Sequence, residues 1–246
     1  DITNLQLTSS VSVDSSMING ELIRNLSADI SLSDTVAMVD SARLQSTIAE
    51  GAFRGRLHAL RHYDSQNELS LDLQLKDLQA LAPLADVEEL AAQGQVKGRL
   101  RPFNNENLQF TGTFDFADVI YGGLFSADRA DGAINTRTRF QRDVQYNVDI
   151  GLTAPTFSGI NIQDLRLRTE GAYADSNVAG SYDLRFSSPN EGRIEQSGEY
   201  SASEDSIRVR TSQYNIISDY RILSLESPFD LTIYGDTLRM DTMRVS

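Results

Sequence analysis

The sequence predicts an all-β fold, an elongated and strongly curved antiparallel sheet, and three observations carry that expectation. Apolar residues alternate with polar ones in stretch after stretch, which puts one kind of side chain on each face of a strand. Clusters of Gly, Asn, Asp and Ser punctuate these stretches at intervals of roughly 10 to 15 residues, the rhythm of antiparallel meanders. Only one segment carries the three-to-four spacing of a helix.

Taken in order, LSLDLQL sets Leu69, Leu71, Leu73 and Leu75 on one face against Ser70, Asp72 and Gln74. After Leu78 the spacing changes, with Leu81, Leu84, Val87 and Leu90 recurring every third or fourth residue. Asp86 and Glu89 fit a capping box, and Gly94 fits the position just past a C-terminus, so a short helix is predicted at about 79–92. Alternation then returns. Phe110, Phe114 and Phe116 share a face in NLQFTGTFDFAD, and Val148, Ile150 and Leu152 do so in YNVDIGLT. Ile160 with Ile162, Leu165 with Leu167, and Tyr182, Leu184 and Phe186 follow, then Leu231 and Ile233. The turns between them read SMING, HYDSQNE, PFNNEN, YGG, YADSN, SSPNEG, SASEDS and YGDT, all rich in residues that tolerate left-handed or self-bonding geometry. No Ser/Gly tract or like-charge run interrupts this order, so residues 1–246 read as a single continuous segment.

Composition narrows the function. The net charge of −13 and pI near 4.5 argue against nucleic acid or an anionic membrane surface as the direct partner, because both would repel it. The chain has no cysteine, which removes disulfides, thiolate zinc sites and thiol nucleophiles. It has no apolar run of the roughly 18 residues that span a bilayer, and DITNLQLTSS lacks the regions of a signal peptide, so Asp1 reads as a mature end or an internal boundary. Arginine greatly outnumbers lysine, of which Lys76 and Lys97 are the only examples, and the arginines are scattered along the sequence without clustering.

A sheet with one apolar face must cover it, by a second sheet, by closure into a barrel, or by folding on itself around an apolar trough. The aromatic residues do not form the girdles of a membrane barrel. About 18 to 20 strands at roughly 4.8 Å each would make a sheet on the order of 90 Å long, and open sheets of that size curl. The helix near 79–92 is then a candidate cap over the trough, through Leu81, Leu84, Val87 and Leu90.

The order LSLDLQLKDL, a Leu/Ala-rich helix and GQVKGRLRPF resembles the unit that recurs in AsmA-like proteins of bacterial envelopes. The stretch RILSLESPFDLTIYGDTLRMDTMRVS resembles the strand, proline and strand pattern of the TamB-like branch, carried by Leu223, Leu225, Pro228, Phe229, Leu231, Ile233, Leu238, Met240 and Met243. The resemblance implies an internal or C-terminal segment of a periplasmic protein whose full-length parent is anchored in the inner membrane and reaches toward the outer one. It implies phospholipid acyl chains as the ligand, moved between the two membranes, and an outer-membrane partner of the Omp85 class. The groove would be lined by Leu71, Leu73, Leu75, Phe110, Phe114, Phe116, Val148, Ile150, Leu165, Leu167, Tyr182, Leu184, Phe186, Leu231 and Ile233.

Catalytic chemistry has little to stand on. His58 and His62, with Asp64 nearby, are the only histidines, and their i, i+4 spacing has meaning for a metal only on a helix. No nucleophile elbow, phosphate loop or dinucleotide fingerprint occurs. Asp115/Asp118 and Asp128/Asp131, the second pair within DRADG, read as solvated turn residues in a chain with 35 acids. The sequence therefore predicts no enzyme, no cofactor and no metal. Two other readings stay open: a compact β-sandwich acting as a binding or adhesive module, and a chaperone-like surface that offers strand edges to outer-membrane proteins during assembly.

Overall fold

A computed structural model of the protein describes residues 6–18, 21–33, 36–58, 68–76, 78–79, 82, 87–104, 107–139, 143–188, 192–203, 205–218, 222–234, 237–241 and 244. The chain divides into two compact units, Asp1–Ser126 and Ala127–Ser246. Both are all-β, every described strand pairing is antiparallel, and no helix among the described residues is long and apolar enough to cross a membrane.

The first unit is a meander of β1 (Gln6–Ile18), β2 (Glu21–Ser33), β3 (Val36–Ser46), β4 (Ala49–His58), β5 (Glu68–Leu75), β6 (Leu90–Asn104) and β7 (Asn107–Tyr121). Each strand pairs with the next in sequence. The turn after β7 explains YGG: Gly122 and Gly123 have φ of 59° and 67°, and the Leu124 amide donates to the Tyr121 carbonyl at 3.2 Å. Two consecutive left-handed residues match the twist of the flanking strands. β7 also carries a bulge in its pairing with β6, where Asp118 takes φ 53° between the Gln93–Ala117 and Ala91–Ile120 pairs.

The second unit runs through β8 (Phe125–Arg139, whose first two residues belong to the first unit), β9 (Asp143–Thr153), β10 (Thr156–Phe157), β11 (Ile160–Asn161), β12 (Asp164–Ala174), β13 (Asn177–Ser188), β14 (Gly192–Ala202), β15 (Ser206–Ile217), β16 (Ile222–Ser224), β17 (Phe229–Tyr234) and β18 (Thr237–Met240). β8, β9, β12, β13, β14 and β15 lie side by side, with the small β10–β11 hairpin inserted between β9 and β12. β16 and β17 are two pieces of one neighbour to β15, which pairs with the first through Asn215–Ile217 and with the second through Ser206–Thr211. The break between them holds Pro228, which has no amide hydrogen to give a ladder.

The predicted helix at about 79–92 is corrected. Gln79 and Ala82 lie in short 3₁₀ turns, Val87–Glu89 is irregular, and Leu90–Ala92 begins the long strand β6; residues 80–81 and 83–86 lie outside the described residues. The reason is competition between two periods. Ala92, Gly94, Val96, Gly98 and Leu100 alternate with polar residues, and β5 and β7 flank β6 with ladders on both sides, whereas an isolated helix of this length is marginal. The Gln79 side chain extends the pairing, its Nε2 donating to the Glu88 carbonyl at 3.0 Å while its Oε1 accepts from the Leu90 amide at 3.1 Å.

Burial is unusual for this many leucines. Among the described residues the buried apolar ones are five alanines, Ala49, Ala82, Ala92, Ala127 and Ala130, together with Pro155. Where side-chain burial is described, no Leu, Ile, Val, Phe, Met or Tyr is fully buried. The larger side chains of the strand faces, among them Leu26, Leu44, Leu73, Leu100 and Phe114, are half-buried instead.

Candidate functional site

In the first unit the ladders bring the apolar positions into rows that cross all seven strands. One row reads Val13, Leu26, Leu44, Gly51, Leu73, Val96 and Phe114. The next reads Val11, Ala28, Ala42, Phe53, Leu71, Gly98 and Gly112. Further along the strands, Leu75, Gly94 and Phe116 align, and Leu69, Leu100 and Phe110 align. The Phe110 ring lies diagonally over the facing glycines: a Cβ at Gly98 would come 2.6 Å from Phe110 Cε2, and one at Gly112 would come 2.9 Å from Cε1. Phe114 and Phe116 stack with centroids 5.4 Å apart. The result is a wall of carbon, continuous over seven strands and partly exposed.

In the second unit the corresponding rows are apolar at their flanks. Ala130, Leu152, Leu165, Phe186, Ile194, Ile216 and Leu223 form one. Ile150, Leu167 and Leu184 form the next. On the far side Val144, Tyr173, Val178, Ala202, Ile207, Ile233 and Leu238 form another.

Between these flanks runs a belt of hydroxyl and amide groups. Tyr146, Gly171, Gly180 and Tyr200 stand in one row on β9, β12, β13 and β14. The two tyrosines reach toward each other over the glycine pair, where a Cβ would come within 2.7 Å of the Tyr146 hydroxyl and 2.6 Å of the Tyr200 hydroxyl. Their hydroxyls are hydrogen bonded to each other. Tyr200 also bonds Thr169 Oγ1 at 2.7 Å, and Thr169 donates to the Ser181 carbonyl at 3.1 Å. A hydroxyl has one proton to give. Thr169 gives its proton to Ser181, so Tyr200 donates to Thr169, and Tyr146 donates to Tyr200. Burial first, then the Tyr200 hydrogen bond, pushes the Tyr146 phenol up to about 12 from its usual 10.0. In the adjoining rows Gln196 Nε2 donates to Tyr182 Oη at 2.9 Å and Thr211 Oγ1 at 3.0 Å, and those two hydroxyls share a bond of 2.9 Å. Thr211, at 1% exposure, is the most buried polar residue described.

The opposite face is polar and held by charge pairs. Asp149 receives Arg166 through two bonds of 2.8 Å and Arg168 at 2.9 Å. The Arg166 hydrogen bond is the main reason its carboxyl stays below the ordinary range. The expectation of scattered arginines is corrected here. Arg166 and Arg185 pair directly across β12 and β13 and, with Arg193, line a shallow depression of about 320 Å³. Each lies against a carboxylate, Asp149, Asp183 and Glu195 respectively, at 2.8 to 3.0 Å, with Asp149 shared by Arg168.

The fifteen expected lining residues fall on these faces. Leu71, Leu73, Leu75, Phe110, Phe114 and Phe116 lie on the first unit's apolar face, and Val148, Ile150, Leu165, Leu167, Tyr182, Leu184, Phe186, Leu231 and Ile233 lie on the second's. Tyr182 does so with its hydroxyl tied into the belt. Of the expected cap, Leu90 is a strand residue paired with Tyr121, and Val87 packs beside the Gly122 turn. Leu81 and Leu84 lie outside the described residues, as do His62 and Asp64. Asp128 and Asp131 belong to the extended strand β8, not a turn, and Asp115 lies within β7. Sequence reading missed the belt because Tyr146, Thr169, Gln196 and Thr211 lie on four different strands; the only signal was a polar residue at an otherwise apolar phase. No family model matches the chain, and neither a curated protein nor a solved structure does.

Proposed function

We propose that the apolar sheet face binds acyl chains and that the protein is a lipid-conducting groove segment of the AsmA-like kind, working in the periplasm without catalysis. The observation that carries this reading is the row Val13–Leu26–Leu44–Gly51–Leu73–Val96–Phe114: six apolar side chains and a glycine aligned over seven strands, none of them fully buried. An exposed apolar surface of this extent marks a ligand or partner site. Covering it with an acyl chain yields about 0.8 kcal/mol for each CH₂ taken from water and requires no polar contact. A ligand bound this way can slide, because each step exchanges one methylene contact for an equivalent one while the head group stays hydrated. Phospholipid movement between the inner and outer membranes, an Omp85-class partner and an inner-membrane anchor on the parent protein belong to the same proposal. The compact-sandwich alternative is less well supported, since the strands of each unit pair within one sheet and the large apolar side chains stay accessible.

The test uses phosphatidylcholine vesicles carrying a diazirine on the acyl chain, with adducts mapped by mass spectrometry. Adducts are expected on Leu73, Val96 and Phe114 and not on Gln74, Lys97 or Asp115, which occupy the other face. Equal labelling of both faces, or none on the apolar one, would refute acyl-chain binding.

A further inference from the structure

The two apolar faces differ in one respect that bears on where an acyl chain can lie. Along the central rows of the first unit a chain meets carbon only: Leu26, Leu44, Leu73, Val96 and Phe114 in one row, and Phe53 and Leu71 beside the glycines covered by Phe110 in the next. Along the central rows of the second unit it meets Tyr146, Thr169, Tyr182, Gln196 and Tyr200. The two tyrosines also fill the depression that Gly171 and Gly180 would otherwise leave.

We propose that this hydroxyl belt is a selectivity element that excludes acyl chains from the central rows of the second unit's face, leaving the first unit's face as the one that takes them across its full width. The inference rests on the acyl-chain reading above and adds a determinant to it. In the row from Tyr146 to the Ser181 carbonyl, proton counting leaves no hydroxyl hydrogen to point outward, so these groups present oxygen lone pairs to the face. Water satisfies such lone pairs, and a methylene chain does not. Laying hydrocarbon over them strips that water without replacement, the same penalty that burial of any unmatched polar group carries. An ester or carboxylate offers oxygen to oxygen and fares no better.

The diazirine-lipid experiment separates the possibilities in the unmodified protein. The expected result is labelling across residues 69–75, 94–100 and 110–116, with at least about tenfold less on 146–148, 169–171, 180–182 and 196–200, the ratio that one lost hydrogen bond of about 1.4 kcal/mol would produce. Tyr146→Phe/Tyr200→Phe, which keeps both rings and removes both hydroxyls, should raise labelling at Val148 by about tenfold. Thr169→Val provides a second, milder variant that should raise it in the same direction. Equal labelling of the two faces in the unmodified chain would overturn the belt's role while leaving acyl-chain binding intact, as would labelling at Val148 that neither variant changes. Absence of labelling on both faces would overturn the acyl-chain reading and the belt with it.

Discussion

Replacing Tyr200 with Phe tests the connectivity of the hydroxyl chain, because Tyr200 sits at its middle. Its hydroxyl accepts from Tyr146 and donates to Thr169, so Tyr200→Phe removes two hydrogen bonds, whereas Tyr146→Phe removes one. At about 1 kcal/mol for each neutral bond, Tyr200→Phe should cost about 2 kcal/mol and Tyr146→Phe about 1 kcal/mol. The double variant should also cost about 2 kcal/mol, since the Tyr146–Tyr200 bond can be lost only once. That leaves a coupling of about 1 kcal/mol between the two sites. Urea unfolding at neutral pH, followed by far-ultraviolet circular dichroism, measures all three variants against the parent. Strict additivity, with the double variant at about 3 kcal/mol, would refute the shared bond. Equal costs for the two single changes would refute the middle position of Tyr200.

Titration supplies a second group of expectations. Tyr146 has its phenol pushed up to about 12 from 10.0, so the stability it contributes is fully present below pH 10 and is lost as the pH rises through about 12. Absorbance of phenolate near that pH should show one late-titrating tyrosine that Tyr146→Phe removes. Asp149, held below its usual range chiefly by Arg166, has the opposite sign: its contribution is present above pH 3.8 and is lost as the pH falls through its lowered folded value. Asp149→Asn should cost about 1 kcal/mol at pH 7 and progressively less as the pH falls below 3.8, measured by urea midpoints across that range. Two glycine substitutions should differ in severity. Gly180→Ala drives a Cβ into the Glu170 carbonyl oxygen and to 2.6 Å from the Tyr200 hydroxyl, while the nearest atoms to a Cβ at Gly98 belong to the Phe110 ring, at 2.6 Å and 2.7 Å. Backbone cannot yield as a ring can, so Gly180→Ala should cost about 3 kcal/mol and Gly98→Ala about 1 kcal/mol by the same assay.

Much of the fold was legible because an antiparallel sheet writes its period into the chain. Leu69 to Leu75 alternate in sequence, and the ladders keep that alternation on one face. The turns were legible for a related reason, since YGG and YADSN carry residues that take positive φ, as Gly122, Gly123, Asp175 and Ser176 do. The segment 79–92 was misread because its local spacing suits a helix, while the ladder that claims Leu90 and Ala91 comes from Tyr121 and Ile120 of β7, remote in sequence.

The sequence by itself determined the all-β class, the faces of the strands and the absence of cysteine chemistry, because each depends on residue type and on a period of two. Only the tertiary structure decided which strands stand side by side, and therefore that Phe110 covers Gly98 and Gly112 and that Tyr146, Thr169 and Tyr200 meet over Gly171 and Gly180. Register is a property of pairs of strands. A hydroxyl on β9 finds its partner on β14 only after β12 and β13 have been laid between them.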